Sequence, residues 1–361
     1  MDEAVPIDFC TLGMLIIDEI HYLPPKPPVY DVIGGAGSYA AIGARLHSPP
    51  PLSRSVGWVV DAGSDFPTKL RQVIKSWDTS CLVRETPGRL TTRGWNGYGD
   101  DEERAFKYTT PKLRLDHTSL SEPLLRSRSF HLICSPKRCI DLVTNILAQR
   151  EKLNNSSSRP LFIWEPVPDL CVPTELENFY DALHYVDVVS PNESEMRSFY
   201  ESPHGNAHDH PLILQNHARD WVTHGIGPDR KGAVVVRRGA QGCSTFDSSG
   251  IWKNYPAYHP LETSQNAERV NAAVVDPTGG GNTFVGGLAV GLVRGGEQPG
   301  LQNLEIAIIW ASVAASYAIE QVGLPVISHS IHGTELWNRQ CVRHRIEAFN
   351  RKCKMHPGNS S

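Results

Sequence analysis

Residues 274–292 read VVDPTGGGNTFVGGLAVGL. The spacing predicts a short apolar strand ending at Asp276, a turn through Thr278, Gly279, Gly280 and Gly281, and an all-apolar helix starting near Asn282. Three successive glycines let the backbone turn its N–H groups toward one point. The helix N-terminus adds roughly half a positive charge there, so the turn is a candidate anion site. Gly286, Gly287 and Gly291 then leave the helix thin enough to pack closely on a neighbour. Nine of the 30 glycines lie between Gly279 and Gly300, and none between Gly99 and Gly205.

Working outward, apolar runs alternate with helical stretches. Residues 9–17 (FCTLGMLII) and 55–60 (SVGWVV) read as buried strands ending at Asp18 and Asp61, with further strands at 129–134, 160–164, 186–190 and 232–236. Helices are expected between them, at 139–152 and 174–183 for example. Unbroken apolar strands alternating with helices predict an α/β fold, a mostly parallel central sheet with helices on both faces. Residues 20–31 and 90–108 depart from that pattern, being polar or proline-rich with aromatic residues. They form either a small β lid over a site or ordinary surface hairpins. The main domain is expected over 1–333, followed by a basic C-terminal helix and tail at 334–361.

Composition narrows the function classes. The 361 residues are 40% hydrophobic, which excludes an intrinsically disordered chain. The 35 Lys+Arg against 39 Asp+Glu give a net charge of −4, no general field for nucleic acid or an anionic membrane. The longest charge-free apolar run, residues 306–319, is too short for a bilayer. Asp2 and Glu3 are wrong for a signal peptide, and the eight cysteines form no CxxC. A cytoplasmic protein with a small-molecule substrate and no structural metal is expected.

The glycine turn resembles the D-T-x-G-A-G-D-x-F signature of the ribokinase-like (PfkB) carbohydrate kinases, and the likeness continues along most of the chain. Gly13 and Asp18 match the first strand and its substrate-side aspartate. Gly34, Gly35, Ala36 and Gly37 match the N-terminal GG signature, and Gly57, Gly63 and Asp65 loosely match the segment after it. Asn192 and Glu195 match N-x-x-E, Arg237 to Gly242 (RRGAQG) stand at the nucleotide-binding turn, and residues 308–323 resemble the late helix walling the adenine pocket. The resemblance implies ATP and Mg2+. Gly279, Gly280 and Gly281 would hold the transferring phosphate, and Glu195 with Asn192 would position the metal. Arg237, Gly239 and Gly242 would border the nucleotide, and Asp18, Gly34, Gly35 and Tyr39 would face the acceptor. It also allows a homodimer through the lid.

The departures bear on the chemistry. The family's last aspartate in GAGD is the general base, and this chain has Asn282, which cannot take a proton at physiological pH. Tyr39 stands where the family commonly has an asparagine for sugar hydroxyls, and Glu165 where it often has an aspartate. Asp276 is then the nearest carboxylate in sequence that could substitute. The G-G-G-N sequence is similar to that of a fungal subgroup named for maintenance of killer virus. Three functions follow: phosphoryl transfer to a hydroxyl of a sugar- or nucleoside-like molecule, a pseudokinase that binds nucleotide or metabolite as a regulator, or a non-kinase enzyme reusing the anion hole.

Weaker signals are a GxGxxA dinucleotide fingerprint at residues 35–40 with Asp61 as its acid, a charged hairpin at 100–104, and His204, His208 and His210 in one loop. The basic helix at 339–354 is read as suiting its own macrodipole.

Overall fold

Strands with unbroken apolar runs need cover on both faces, and Val56–Gly63 (VGWVVDAG), apolar up to Asp61, and Ala233–Arg237 (AVVVR), apolar up to Arg237, are of this kind. The computed structural model describes residues 5–98, 104–153, 158–200, 212–264 and 267–355. Its first thirteen strands are β1 Phe9–Thr11, β2 Ile16–His21, β3 Val29–Gly34, β4 Val56–Gly63, β5 Ser80–Thr86, β6 Arg93–Tyr98, β7 Arg104–Tyr108, β8 Ser129–Cys134, β9 Leu161–Pro166, β10 Val188–Val189, β11 Ala233–Arg237, β12 Cys243–Asp247 and β13 Lys253–Tyr255. The α-helices are α1 Ala36–Leu46, α2 Thr68–Ser76, α3 Glu122–Leu125, α4 Pro136–Lys152, α5 Leu176–Leu183, α6 Glu193–Ser198, α7 Ile213–His224, α8 Gly280–Arg294, α9 Leu304–Ile319 and α10 Val342–Met355.

Nine strands form one sheet in the order β13-β12-β11-β10-β9-β8-β1-β4-β5. Seven run parallel, and β12 and β13 finish one edge antiparallel. One face buries Phe9, Trp58, Val60 and Val235 under α1, α8 and α9. The other buries Phe130, Leu132, Phe162 and Val234 under α4, α5 and α7. The chain runs from β1 toward β4 and β5 and then returns to build outward from β8. The order therefore reverses between β1 and β8, the place where open α/β sheets take ligands.

The close-packing expected of Gly286, Gly287 and Gly291 is present. A Cβ on Gly286 would stand 2.0 Å from the Ala40 carbonyl oxygen of α1, and one on Gly291 2.5 Å from the Ala307 Cα of α9. Both neighbours are backbone, which cannot swing aside. Gly286→Ala is accordingly expected to cost about 3 kcal/mol of unfolding free energy, read by denaturant titration. An unchanged midpoint would show that α1 and α8 can separate freely.

Four strands form a second sheet, β3-β2-β6-β7, in which only β2 and β6 run parallel. It uses both segments that departed from the α/β pattern, the first with wider bounds and the second within 90–108. Residues 9–17 are not one strand. The chain leaves the large sheet after Thr11 and joins the small one at Ile16, because Gly13 is pressed against the backbone of Gly37 at α1. The GxGxxA reading fails for a related reason: the strand before α1 is antiparallel β3 of the small sheet, and Asp61 is ion-paired to Arg84 at 2.7 Å.

Residues 274–276 are not a strand either. The Val275 and Asp276 N–H groups both donate to the Ile319 carbonyl at the end of α9, so no sheet partner is available to them. The helix begins at Gly280, slightly earlier than expected. The loop histidines and residues 100–103 lie outside the described residues. Among the described residues, no helix is long and apolar enough to cross a membrane.

The basic helix α10 is packed against the main body. Arg345 is buried, pairs with Glu320 at 2.7 and 2.8 Å, donates to Ser316 and lies over the Tyr317 ring. Burial pushes the Glu320 carboxyl up, but His259 and Arg345 outweigh it and hold it below the usual value of 4.5. Because the folded carboxyl stays ionised where the unfolded one takes up a proton, this stabilisation is complete above that value. It is lost as pH falls through the lower folded value. Glu320→Gln should therefore lower stability at neutral pH and converge with the natural chain only once pH has fallen below that lowered folded value. Parallel pH–stability curves would contradict this.

Candidate functional site

Gly279 caps α8 with φ +78°, and Gly35 caps α1 with φ +87°, both in the region that glycine tolerates. The two glycine-led helix starts lie side by side. The Tyr39 ring covers Gly279 so closely that a Cβ there would be 2.1 Å from its Cε1. Gly281 and Asn282 precede the first helical bond, which runs from the Thr283 N–H to the Gly279 carbonyl. Their N–H groups are the ones a helix start leaves for an anion.

Asn282 meets a carboxylate. Its Nδ2 donates to Glu165 Oε2 at 2.8 Å. An ionised carboxylate only accepts, so the amide NH2 must face it and the Asn282 Oδ1 points away from Glu165. Glu165, next to last in β9, is 2% exposed and has further partners: Arg237 Nη1 at 2.7 Å and His131 Nε2 at 2.8 Å. Burial would raise its carboxyl, but Arg237, His131 and Asn282 prevail and hold it at about 2. His131 in turn meets Thr11 Oγ1 at 2.9 Å, and that hydroxyl accepts from the Gly13 N–H. This chain crosses the β1–β8 reversal point. With the Thr11 hydrogen donated to Nδ1, the His131 Nε2 carries a hydrogen for Glu165.

Arg237 ends β11 and joins two carboxylates. Beyond Glu165, its Nη2 reaches Glu195 Oε2 at 3.3 Å and the Ser190 carbonyl at 2.9 Å. Glu195 and Asn192 form the reciprocal capping box of α6: the Glu195 side chain accepts from the Asn192 N–H and the Asn192 side chain from the Glu195 N–H, each at 2.7 Å. Burial raises the Glu195 carboxyl above its usual value despite Arg237.

A cavity of about 570 Å³ opens from this cluster. Arg237, Gly280 and Gly281 lie at one end, Gly239 and Gly242 on the wall from β11, and Ser312, Ala315, Ser316 and Ile319 of α9 on the other. The volume is in the range of small-ligand sites. Tyr258 and His259 also line it, and Lys352 of α10 donates to the Ala257 and Tyr258 carbonyls.

The structure thus gathers Gly279, Gly280, Gly281, Asn282, Tyr39, Asn192, Glu195 and Arg237 around one corner, with Gly239 and Gly242 along the cavity. Asp276 is buried, and its Oδ1 accepts from the Thr278 N–H inside the turn. The carboxylate bonded to Asn282 is Glu165. Asp18 and Gly34 lie on the small sheet, where the Asp18 carboxylate is pressed against Gly34 and Gly94. His131 and Thr11 are functional candidates that sequence reasoning missed. Their only signal was a polar residue inside an apolar strand, as in SFHLIC.

Residues 32–328 match the model of the pfkB family carbohydrate kinases, and the chain belongs to that family. It is 33% identical over 352 residues to an uncharacterized protein of Schizosaccharomyces pombe, covering 95% of this chain and 92% of that one. It is 32% identical over 331 residues to Protein MAK32 of Saccharomyces cerevisiae, covering 87% and 85%. These relatives match the fungal maintenance-of-killer subgroup. The ribokinase of Arabidopsis thaliana solved with ribose and ATP superposes with a TM-score of 0.58 at 16% identity, over 89% of this chain and 95% of that one. That likeness is one of fold: the ribokinase-like α/β architecture with its large, mostly parallel sheet.

Proposed function

We propose that the cavity binds ATP, with its terminal phosphates at the Gly279–Gly281 turn, and that the protein transfers a phosphoryl group to a hydroxyl of a small sugar- or nucleoside-like molecule. The observation that carries this is one cavity joining the Gly239–Gly242 wall to the glycine-led start of α8, with Arg237 at the junction. The acceptor would lie between Asp18 and Asn282, beneath the small sheet acting as a lid. Asn282 Oδ1 orients its hydroxyl without removing the proton.

Among the described residues, no group of three or more His, Cys, Asp or Glu could hold a metal. Mg2+ needs only one or two carboxylates when phosphates and waters complete its shell, and Glu195, braced by Asn192, fits that need. Bound there, the ion would neutralise charge on the phosphates.

Turnover is expected to be slow. A positioned base is worth roughly 10²–10⁴ in rate, Asn282 supplies none, and Glu165 is a weak base while Arg237 holds it. Positioning and electrostatics carry much of phosphoryl transfer, so a residual rate remains. The test is ADP release from Mg–ATP across a panel of sugars and nucleosides, with slow acceptor-dependent release expected for at least one. ATP binding with no acceptor-dependent release would replace this reading with the pseudokinase one.

The small sheet exposes Val29, Tyr30, Phe106 and Tyr108, apolar area that a second copy would cover. Dimerisation there predicts a dimer in sedimentation velocity that Tyr30→Asp disrupts, and a monomeric natural chain would overturn it. The eight free cysteines suit the reducing cytoplasm, and a tagged chain found in the secretory pathway would overturn that location.

A further inference from the structure

Arg237 has a position that the capping box and the ion pairs do not explain. Its Nη1 lies so close to Gly281 that a Cβ there would be 2.1 Å away. The guanidinium is therefore against the start of α8, the positive end of a helix dipole, where a cation is disfavoured and an anion favoured. Two carboxylates, Glu165 and Glu195, hold it in place. Its Nε is buried and has no acceptor among the described residues. It also lines the cavity. A planar fork with its Nε–H unused, beside unpaired helix N–H groups, suits a phosphate better than its present surroundings.

We propose that Arg237 is an exchangeable strap: without ligand it ties Glu165 to Glu195 across the glycine turn, and the terminal phosphates of a polyphosphate ligand draw its guanidinium away from Glu165. The inference rests on the nucleotide reading of the cavity. It adds that Glu165 and the ligand phosphates compete for one guanidinium. Occupancy of the phosphate end and the hold on the carboxylate behind Asn282 are then reciprocally linked. No bond is made or broken in this exchange, only ion pairs.

The experiment is a double-mutant cycle read by calorimetric titration of the full chain with inorganic tripolyphosphate, Mg–ATP and adenosine. Arg237→Gln should weaken tripolyphosphate by roughly tenfold and leave adenosine nearly unchanged, since charge-assisted bonds to phosphate are lost and base contacts are not. Glu165→Gln should strengthen tripolyphosphate several-fold, because the competitor is gone. That gain should vanish in the Arg237→Gln background, the signature of direct competition. A gain of equal size in both backgrounds would reduce Glu165 to a through-space charge effect and overturn the strap. So would an unchanged affinity in Glu165→Gln.

Thermal melts accompany each titration, and Arg237→Lys, which keeps the charge but not the fork, takes the place of Arg237→Gln if that variant does not fold. Natural-chain binding of Mg–ATP with a failed cycle leaves the nucleotide reading intact. A natural chain that binds tripolyphosphate with the expected cycle, but neither adenosine nor Mg–ATP, would keep the strap and sink the nucleotide reading.

Discussion

Asn282→Asp alone is expected to destabilise the protein and leave turnover no faster, although it restores the family's residue. The new carboxylate would face Glu165 across the present 2.8 Å contact. Two carboxylates at that separation do not both ionise, so burial and repulsion raise one of them well above its usual value. A carboxyl with a raised folded pKa costs stability at every pH above its unfolded value, and the cost disappears below it. The loss at pH 7 should be on the order of 3 kcal/mol, and the two chains should converge below about pH 4. The paired variant Asn282→Asp with Glu165→Gln removes the clash and supplies a base. Its acceptor-dependent ADP release should exceed that of the natural chain by roughly 10²–10⁴. If the single variant equals the pair in rate and stability, Glu165 does not constrain position 282.

Arg237→Gln is the second large effect, on stability of the ligand-free chain. Removing the guanidinium leaves Glu165 and Glu195 buried without their shared cation. Breaking a buried pair from one side typically costs about 3–5 kcal/mol, because the remaining charge is uncompensated. The pH dependence distinguishes this from lost packing. In the natural chain Glu165 is held at about 2, so its contribution is present above the usual 4.5 and is lost as pH falls toward 2. In the variant, burial dominates and the folded value rises, so the penalty is largest at neutral pH. The gap between the two chains should narrow on acidification, as followed by urea unfolding at several pH values. A gap that stays constant down to pH 3 would assign the loss to packing.

The glycine turn was legible because its information is local: three successive glycines, then an apolar helix with glycines on two packing faces. The α/β order was legible for the same reason. Strand identity failed where the partner decides it. The Val275 and Asp276 N–H groups bond to the end of α9 and that of Val274 to the Asn271 carbonyl instead of to a sheet, and the run 9–17 is divided by contact with a helix 24 residues past Gly13, at Gly37. The site was half legible. Asn282 could be placed from the glycine turn and Glu195 from the resemblance to the family's N-x-x-E motif, but the Glu165–Arg237–His131 cluster is assembled from β8, β9 and β11. Nothing near any of the three residues in sequence announces the other two. Glu165 was noted only as a departure, and its role follows from strand register, which brings Ile133 opposite it and His131 within reach.

Calorimetric titration of Mg–ATP into the natural chain and into Ala315→Trp tests the central claim most directly. Ala315 lines the cavity on α9, away from the charged corner, and an indole there fills the space assigned to the base. Saturable binding at one site per chain, abolished in a variant that still melts cooperatively, is the predicted result. No binding to the natural chain, or equal binding to both, would contradict the placement of a nucleotide in this cavity.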